Sequence, residues 1–266
     1  MEGKNSSFYL FLEYLKYYLT SNNAHGLHSP FVFNLYNDVF KDNTPFYCFQ
    51  KIEDIRDNLK LNFDSIELED YGAGSRNEIS KIKTISEIAN SSLTKAKYAQ
   101  LIFRLLNNGT AENIVELGTS LGLTTSYLAS VNPKSTVYSF EGDKSIAKVA
   151  TNNIKSLGLE NVDLNVGEFS KTLEPWLNSI EFKLDFVFLD GNHRFESTMS
   201  YFEMILPHIH DKTIVIIDDI RWSNGMEKAW GELKSRKEVG VSIDVFQMGI
   251  LFFKKDQIKE NFRIRY

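Results

Sequence analysis

The second half of the chain alternates short apolar runs with segments of helix length, and this pattern constrains the fold more than any other feature. Strands that are separated by helices pair in parallel through βαβ crossovers, and such a sheet is buried on both faces. We therefore predict a doubly wound α/β sheet with five parallel strands. The five apolar runs are Ile114–Leu117, Val137–Phe140, Val162–Val166, Phe186–Leu189 and Ile214–Ile217.

Two further apolar runs, Ser242–Phe246 and Gly249–Phe253, are separated by only two residues. That gap is too short for a parallel crossover, so we predict an antiparallel hairpin at the sheet edge. Residues 1–91 show helical periodicity and few strand-like runs, and Ile66–Glu69 is too polar for a buried central strand. We expect a helical N-terminal extension over residues 1–91 and the α/β domain over residues 92–266.

Composition excludes several classes of protein. The 266 residues carry a net charge of −5, which repels phosphate backbones, so we expect no nucleic-acid partner. Cys48 is the only cysteine, which excludes a disulfide framework and suits a reducing compartment. The aromatic stretch from Phe8 to Leu19 is interrupted by Glu13 and Lys16 and is too short to span a bilayer. We expect a cytoplasmic protein with no membrane partner.

The first predicted strand runs into a glycine-bearing turn that opens a helix. In an open α/β sheet, ligands bind beyond the carboxyl ends of the strands. Gly118 and Gly122 would let a ligand approach the backbone closely, and the helix start presents free N–H groups that attract a carboxylate or a phosphate. The turn residues that we expect to bind a cofactor are Glu116, Gly118, Thr119, Ser120 and Thr124.

The next two strand ends add acidic side chains. Glu141 and Gly142 end the second strand, where a carboxylate can accept hydrogen bonds from both hydroxyls of a ribose. Glu168 and Phe169 follow the third strand and could meet an adenine ring. Together these positions indicate a ligand that contains adenosine.

At these residues the sequence resembles the class I S-adenosylmethionine-dependent methyltransferases. The resemblance rests on Glu-x-Gly-x-x-x-Gly at residues 116–122, on Glu141, on Asp190 and on the pair Asp218-Asp219, and it extends over about residues 92–253. It implies a Rossmann-like methyltransferase sheet that binds S-adenosylmethionine, with Glu141 on the ribose and the Gly118 turn on the methionine moiety. A nicotinamide-dependent dehydrogenase would need Gly-x-Gly-x-x-Gly after the first strand, which this chain lacks.

The three aspartates are similar to those of the cation-dependent, catechol-type O-methyltransferases. In that group, an Asp after strand four and an Asp-Asn pair after strand five hold the metal. The resemblance implies that Asp190, Asp218 and Asp219 bind Mg²⁺ or another divalent cation, although Asp219 replaces the usual Asn. It also implies a small hydroxylated acceptor. Two alternatives are that these carboxylates act by hydrogen bonding without a metal, and that Asp219 only caps a helix or holds a loop.

His193 lies three residues after Asp190, where the catechol-type group has its lysine base. A neutral imidazole is a competent general base near physiological pH, so we expect His193 to be catalytic together with Asp190. The alternatives are that His193 binds a metal or orients Asp190. Arg221 and Trp222 should stand at the rim of the acceptor pocket, although Trp222 could equally belong to the core or to an interface.

Three features remain open at the level of the sequence. A binding module that keeps the cofactor fold without turnover would need only Glu141 and the glycine turn. The aromatic N-terminal helix could be buried against the catalytic domain or against a second copy in a homodimer. The loops at residues 25–31 and 71–76 match no recognition pattern, and the acceptor is unspecified beyond its small size.

Overall fold

The computed structural model describes residues 5–23, 26–68, 81–254 and 258–266. His25 and the loop at residues 71–76 therefore lie outside the described residues. The helices are α1 (Ser7–Thr20), α2 (Pro30–Leu35), α3 (Phe49–Lys60), α4 (Ile85–Ser92), α5 (Ala96–Asn107), α6 (Leu123–Val131), α7 (Lys144–Ser156), α8 (Phe169–Ser179), α9 (Phe195–Ile205) and α10 (Asn224–Ser235). Among the described helices, none has both the length and the apolar character needed to cross a bilayer.

The strands include all seven that the sequence predicts and three more. They are β1 (Ser65–Leu68), β2 (Lys81–Thr84), β3 (Asn113–Leu117), β4 (Thr136–Glu141), β5 (Val162–Val166), β6 (Leu184–Leu189), β7 (Ile209–Ile217), β8 (Val241–Asp244), β9 (Gly249–Phe252) and β10 (Glu260–Arg263). Contacts divide the chain into two compact units, one of Met1–Asp42 with Phe182–Tyr266 and one of Asn43–Glu181. The domain boundary between residues 91 and 92 stays a prediction.

In the first unit the strands lie in the order β10-β8-β9-β7-β6. Strands β6 and β7 are parallel, whereas β9 is antiparallel to both β7 and β8. This confirms the predicted hairpin but not its place at the sheet edge, because β10 lies outside it. Strand β10 pairs in parallel with β8. Its sequence, ENFR, lacks a continuous apolar run, and this is why the apolar pattern gave no sign of it.

In the second unit β3, β4 and β5 are parallel and adjacent in that order. Residues 65–68 and 81–84 form a separate two-stranded antiparallel sheet. The segment that was expected to be a helical extension, residues 1–91, therefore also contains two short strands. The run at Ile66 is too polar for a central strand, but its alternately exposed and half-buried side chains suit a small sheet that packs one face on the core.

Local sequence signals explain where the helices near the glycine turn begin. The Asp143 side chain accepts the backbone N–H groups of Ser145 and Ile146 and so caps α7. Ser223 caps α10 by accepting the N–H of Met226. Helix α6 has no side-chain cap, because its N-cap residue is Gly122. Its first N–H groups therefore have no capping side chain.

Gly122 offers a test of this local geometry. Its φ is +82°, and a Cβ there would lie 3.1 Å from the Cα of Ala150 in α7. Gly158 has a similar φ of +69° but open space around it. A left-handed L-residue costs about 1–2 kcal/mol. We expect Gly122→Ala to lower the free energy of unfolding by about 2–3 kcal/mol, and Gly158→Ala by only about 1 kcal/mol, in urea titrations. Equal losses would show that helix packing places no demand on residue 122.

Candidate active site

The turn after β3 has the backbone of a ligand-binding loop. Gly118 and Ser120 both have positive φ values, of +106° and +49°. The N–H groups of Gly118 and Thr119 donate to the carbonyl of Phe140, at 2.9 and 3.2 Å, and so fix the turn against the end of β4. Ser120 is not a glycine, so its left-handed conformation stores strain, and strain of this kind concentrates at binding sites.

Glu116 lies beneath this turn and is completely buried. Its Oε2 accepts hydrogen bonds from the hydroxyls of Thr125 and Ser139, at 2.5 and 2.6 Å. The Ser139 hydroxyl also lies 2.6 Å from that of Thr119. Burial raises the pKa of Glu116 to about 7, although the two hydroxyl donors oppose the shift. Glu116 thus supports the turn from below through a network of hydroxyl groups.

This buried carboxyl predicts a pH dependence of stability. Because the folded-state pKa lies above the ordinary value, protonation stabilises the fold below about pH 4.5, and that contribution is lost as the pH rises to about 7. Glu116→Gln removes the titration. We expect the free energy of unfolding of the variant, relative to wild type, to increase between pH 5 and pH 8 by on the order of 2 kcal/mol. Denaturant titrations at both pH values without cofactor measure it, and a constant difference would contradict the assignment.

Glu141, at the end of β4, faces the same turn. Its Oε2 accepts the backbone N–H of Ser120 at 2.8 Å, and its Oε1 accepts the N–H of Asp143 at 3.0 Å. Burial raises the pKa of Glu141, and these two hydrogen bonds oppose the increase. Each oxygen keeps a further lone pair after these bonds. The carboxylate is therefore fixed in position and can still accept hydroxyl groups of a ligand.

Two buried polar atoms at this turn have no hydrogen-bond partner among the described residues. They are the Oγ of Ser120 and the Oε1 of Glu116. Buried polar atoms without partners are rare in folded proteins, and they often mark the place of a ligand or a water molecule. Both atoms belong to residues that the sequence assigns to the cofactor. The chemistry of the turn therefore fits a polar ligand with donor groups.

The other predicted cofactor residues follow the ends of β3, β4 and β5, and their burial and contacts differ. Thr124 is buried in the first turn of α6. Glu168 precedes α8 and pairs with Lys171 at 2.9 Å, while Phe169 is the first residue of that helix. Gly142 lies between Glu141 and the α7 cap. The roles of these residues toward a cofactor stay predictions.

The first unit carries the second group of predicted residues, at the ends of β6 and β7. Asp218 is 3% exposed, and its Oδ1 accepts the backbone N–H of Asp219 at 2.8 Å. Burial raises the pKa of Asp218 well above its usual range and the charge of Asp219 raises it further, whereas hydrogen bonds with the side chains of Gln247 and Asp190 oppose the shift. Asp218 is thus a buried acid that shares hydrogen bonds with its neighbours.

His193 lies between the other two aspartates. Its Nε2 is 3.7 Å from Oδ1 of Asp190 and 4.0 Å from Oδ2 of Asp219. Burial lowers the pKa of His193, and the negative charge of Asp219 partly opposes this. The imidazole is therefore neutral near pH 7, and its Nε2 lies beyond hydrogen-bond distance from both carboxylates. The Trp222 ring lies alongside, with 5.7 Å between ring centroids.

The backbone at this cluster is strained. Asn192 and Asp219 have φ values of +64° and +51°. Asp219 does not cap the following helix, because Ser223 does. The alternative of a simple helix cap is therefore wrong for α10, although the carbonyl of Asp219 accepts the N–H of Trp222 and holds the loop.

The aspartate cluster offers no ready-made cation site. Within the described ranges, no group of three or more histidine, cysteine, aspartate or glutamate side chains is spaced to hold a metal ion. The Asp218 carboxyl is already hydrogen-bonded to the Asp219 N–H and to the Asp190 side chain. Binding of a divalent cation by Asp190, Asp218 and Asp219 stays a prediction.

Arg221 does not stand at the rim of a pocket. It is 8% exposed and makes a two-pronged ion pair with Asp244, at 2.9 and 2.6 Å, and it donates to the carbonyl of Phe246. Trp222 is half-buried beside His193, as described above. The position of Arg221 two residues after the strand-end acids suggested a substrate contact, but its partner Asp244 in β8 could not be identified from spacing.

Sequence reasoning also missed the residues that hold this loop from the N-terminal side. The Asn5 backbone N–H donates to the carbonyl of Trp222 at 2.8 Å, and its side-chain amide donates to the carbonyl of Arg221 at 3.0 Å and to Glu227 at 2.9 Å. The Tyr9 hydroxyl donates to Glu227 at 2.8 Å. No sequence motif marks Asn5, because its partners are more than 200 residues away.

Comparison with known proteins favours a methyltransferase over a nicotinamide-dependent dehydrogenase. A family profile described as a methyltransferase domain matches residues 115–220. This range includes the glycine turn, Glu141 and the aspartate cluster. Over these residues the chain is similar to methyltransferase domains. Five parallel strands and a C-terminal hairpin, as predicted, agree with the fold of that class.

Individual relatives support the same fold. The O-methyltransferase imqG of Aspergillus flavus is 29% identical over 133 residues, which are 48% of this chain and 51% of that protein. The chain thus matches about half the length of this curated relative. An O-methyltransferase from Bacillus cereus in complex with S-adenosylhomocysteine covers 82% of this chain and 95% of its own, with a TM-score of 0.57 at 16% identity. The O-methyltransferase TomG of Streptomyces achromogenes, in complex with S-adenosylmethionine, covers 61% of this chain and 82% of its own. Its TM-score is 0.54 at 19% sequence identity.

Proposed function

We propose that this protein is an S-adenosylmethionine-dependent O-methyltransferase that acts on a small hydroxylated acceptor. The observation that carries the proposal is the conjunction of two sites in one methyltransferase domain. One is the strained glycine turn with the fixed Glu141 carboxylate, and the other is a neutral His193 flanked by two aspartates. Binding alone would not require the second site.

The glycine turn would hold the cofactor. Glu141 would accept the ribose hydroxyls, and the unpartnered atoms of Glu116 and Ser120 would pair with polar groups of the methionine moiety. Thr119 and Thr124 belong to the same turn and helix start, and Gly118 leaves room for close approach. When bound, S-adenosylmethionine supplies an electrophilic methyl group on a sulfonium.

His193 would act as the general base. As the acceptor oxygen is methylated, the Nε2 atom of His193 would take up the proton that the acceptor hydroxyl loses. The imidazolium that forms lies 3.7 Å from Asp190 and 4.0 Å from Asp219, whose negative charges stabilise it. Trp222 offers an aromatic face next to the base, which suits a flat acceptor.

This proton transfer needs no cation. Within the part of the chain that the structure describes, no acidic and histidine side chains are spaced to hold one, so the proposed mechanism contains no step through Mg²⁺. The cytoplasmic location and the absence of a nucleic-acid or membrane partner remain predictions from composition.

The direct test is transfer of a labelled methyl group from S-adenosylmethionine to a panel of small phenols, catechols and aliphatic alcohols. We expect turnover with at least one flat hydroxylated acceptor. Cofactor binding without transfer to any member, by a protein that titrates with S-adenosylhomocysteine, would favour a binding module instead.

Metal dependence gives a separate prediction. We expect excess chelator to leave the methyl-transfer rate of the purified protein unchanged within about twofold, because His193 takes the proton directly. Initial rates with chelator, with added Mg²⁺ and with neither measure this. Loss of activity that Mg²⁺ restores would mean that the aspartate cluster opens to bind a cation and that the mechanism above is wrong.

A further inference from the structure

Helix α1 exposes a continuous apolar face. Its inward side chains are led by Tyr17, which is 1% exposed and whose hydroxyl donates to the carbonyl of Ile264. The side chains on its outward side are, in contrast, large, apolar and exposed to solvent. Seven large apolar residues are exposed on it: Phe8 71%, Phe11 56%, Leu12 47%, Tyr14 44%, Leu15 41%, Tyr18 44% and Leu19 79%.

These residues repeat with the spacing of a helix-pairing surface. Phe8 and Leu15 are seven residues apart, and the same separation relates Phe11 to Tyr18 and Leu12 to Leu19. Positions that recur every seven residues stay on one side of a helix and interlock with a second helix. The outward face of α1 therefore has the pattern of one half of a helix pair.

The area of this face is sufficient for a specific dimer. A full aromatic side chain carries roughly 200 Å², so the two phenylalanines and three leucines that point away from the chain present roughly 500–600 Å². Two copies would then bury about 1,000–1,200 Å², at the lower limit of about 1,000 Å² that a specific interface needs. An exposed apolar patch of this size marks an interaction site.

The charges on α1 favour a protein partner over a membrane surface. Helices that lie on membranes carry many Lys and Arg residues on their polar side. Helix α1 has a single basic residue, Lys16, and it pairs with Glu13 at 3.3 Å. The helix therefore has no net charge to attract anionic headgroups, and an uncharged apolar stripe is complementary to another copy of itself.

We propose that the outward face of α1, formed by Phe8, Phe11, Leu12, Leu15 and Leu19, is the contact between two copies of this chain around a two-fold axis. The first residues of this segment hold the loop after β7, since Asn5 binds Arg221 and Trp222 and Tyr9 binds Glu227. A partner on α1 thus restrains the element that anchors the aspartate-bearing loop. The dimer itself does not depend on the proposed activity, because its readout is molecular mass.

The test is the molecular mass of the full chain in sedimentation velocity between about 1 and 50 µM, because interfaces of this size can be as weak as micromolar. We expect about 61 kDa, twice the chain mass of 30.6 kDa. The double variant Phe11→Glu/Leu15→Glu should sediment as a monomer with unchanged circular dichroism. Phe63→Glu, at another exposed phenylalanine (73%), is the matched control and should stay dimeric.

A second measurement covers the case in which the double variant fails to fold. Leu15 lies near the middle of the face, so in a two-fold pair it meets its own copy, and Leu15→Cys should form a disulfide-linked dimer under mild oxidation. The native Cys48 is buried and should give no link. A monomeric wild type at all concentrations overturns the proposal. So does a dimer that Phe11→Glu/Leu15→Glu leaves intact, or a monomer that floats with phosphatidylcholine and phosphatidylglycerol vesicles.

Discussion

Replacing Glu141 with alanine should weaken binding of S-adenosylhomocysteine by about 100-fold or more. A hydrogen bond to a charged group contributes about 1.5–3 kcal/mol, and two such bonds to ribose hydroxyls account for a loss of this size. The same carboxylate also fixes the N–H of Ser120, so its removal loosens the turn in addition. Isothermal titration calorimetry of wild type and variant measures the loss.

Glu174→Ala is the matched control, because it removes an exposed carboxylate from α8 without touching the turn. It should bind like wild type. The thermal midpoint of Glu141→Ala shows whether the variant is folded. If folded Glu141→Ala and wild type bind with equal affinity, Glu141 does not bind the ribose, and the proposed cofactor site loses its main polar contact.

His193→Ala should reduce kcat for methyl transfer by about 100- to 10,000-fold, the usual range for loss of a general base. The affinity for the cofactor should stay within about threefold of wild type, because His193 takes no part in the glycine turn. Added imidazole should restore part of kcat, since a free base can occupy the vacated space beside Trp222. Initial-rate kinetics with a saturating acceptor measure both effects.

His208→Ala provides the comparison, because it removes an imidazole from the same unit outside the aspartate cluster. We expect its kcat to equal that of wild type. A kcat for His193→Ala within a few-fold of wild type would show that another group takes the proton, with Asp190 as the next candidate. Absence of imidazole rescue together with a large loss would indicate that His193 only orients Asp190.

The sequence was informative wherever a function depends on local order along the chain. Most of the parallel strands are rich in apolar residues, so the five central strands and the hairpin could be located from the sequence, although β7 begins at Ile209, five residues before the predicted run. Strands β1 and β10 were missed because strands that are not buried on both faces need no such run. In both cases a partner strand, β2 or β8, determines the structure.

Some residues of the candidate site could also be located from local sequence, and others could not. Glu141 and the Gly118 turn follow strands in a fixed order, so their positions could be read from spacing. The raised pKa of Asp218 depends on burial, which a sequence does not show. Arg221 and its ion-pair partner Asp244 are 23 positions apart in the sequence. Asn5 and the loop residue Arg221, to which it donates a hydrogen bond, are more than 200 positions apart. No local pattern contains that information.

The composition of the first unit from two distant stretches, Met1–Asp42 and Phe182–Tyr266, has a consequence for biosynthesis. Tyr17 bonds to Ile264 across 247 positions, so α1 leaves the ribosome long before its partner exists. The unit of Asn43–Glu181 is continuous in sequence and can form during translation, whereas the inward face of α1 must wait for nearly the whole chain. Nascent α1 is therefore the segment that would most need a chaperone during synthesis.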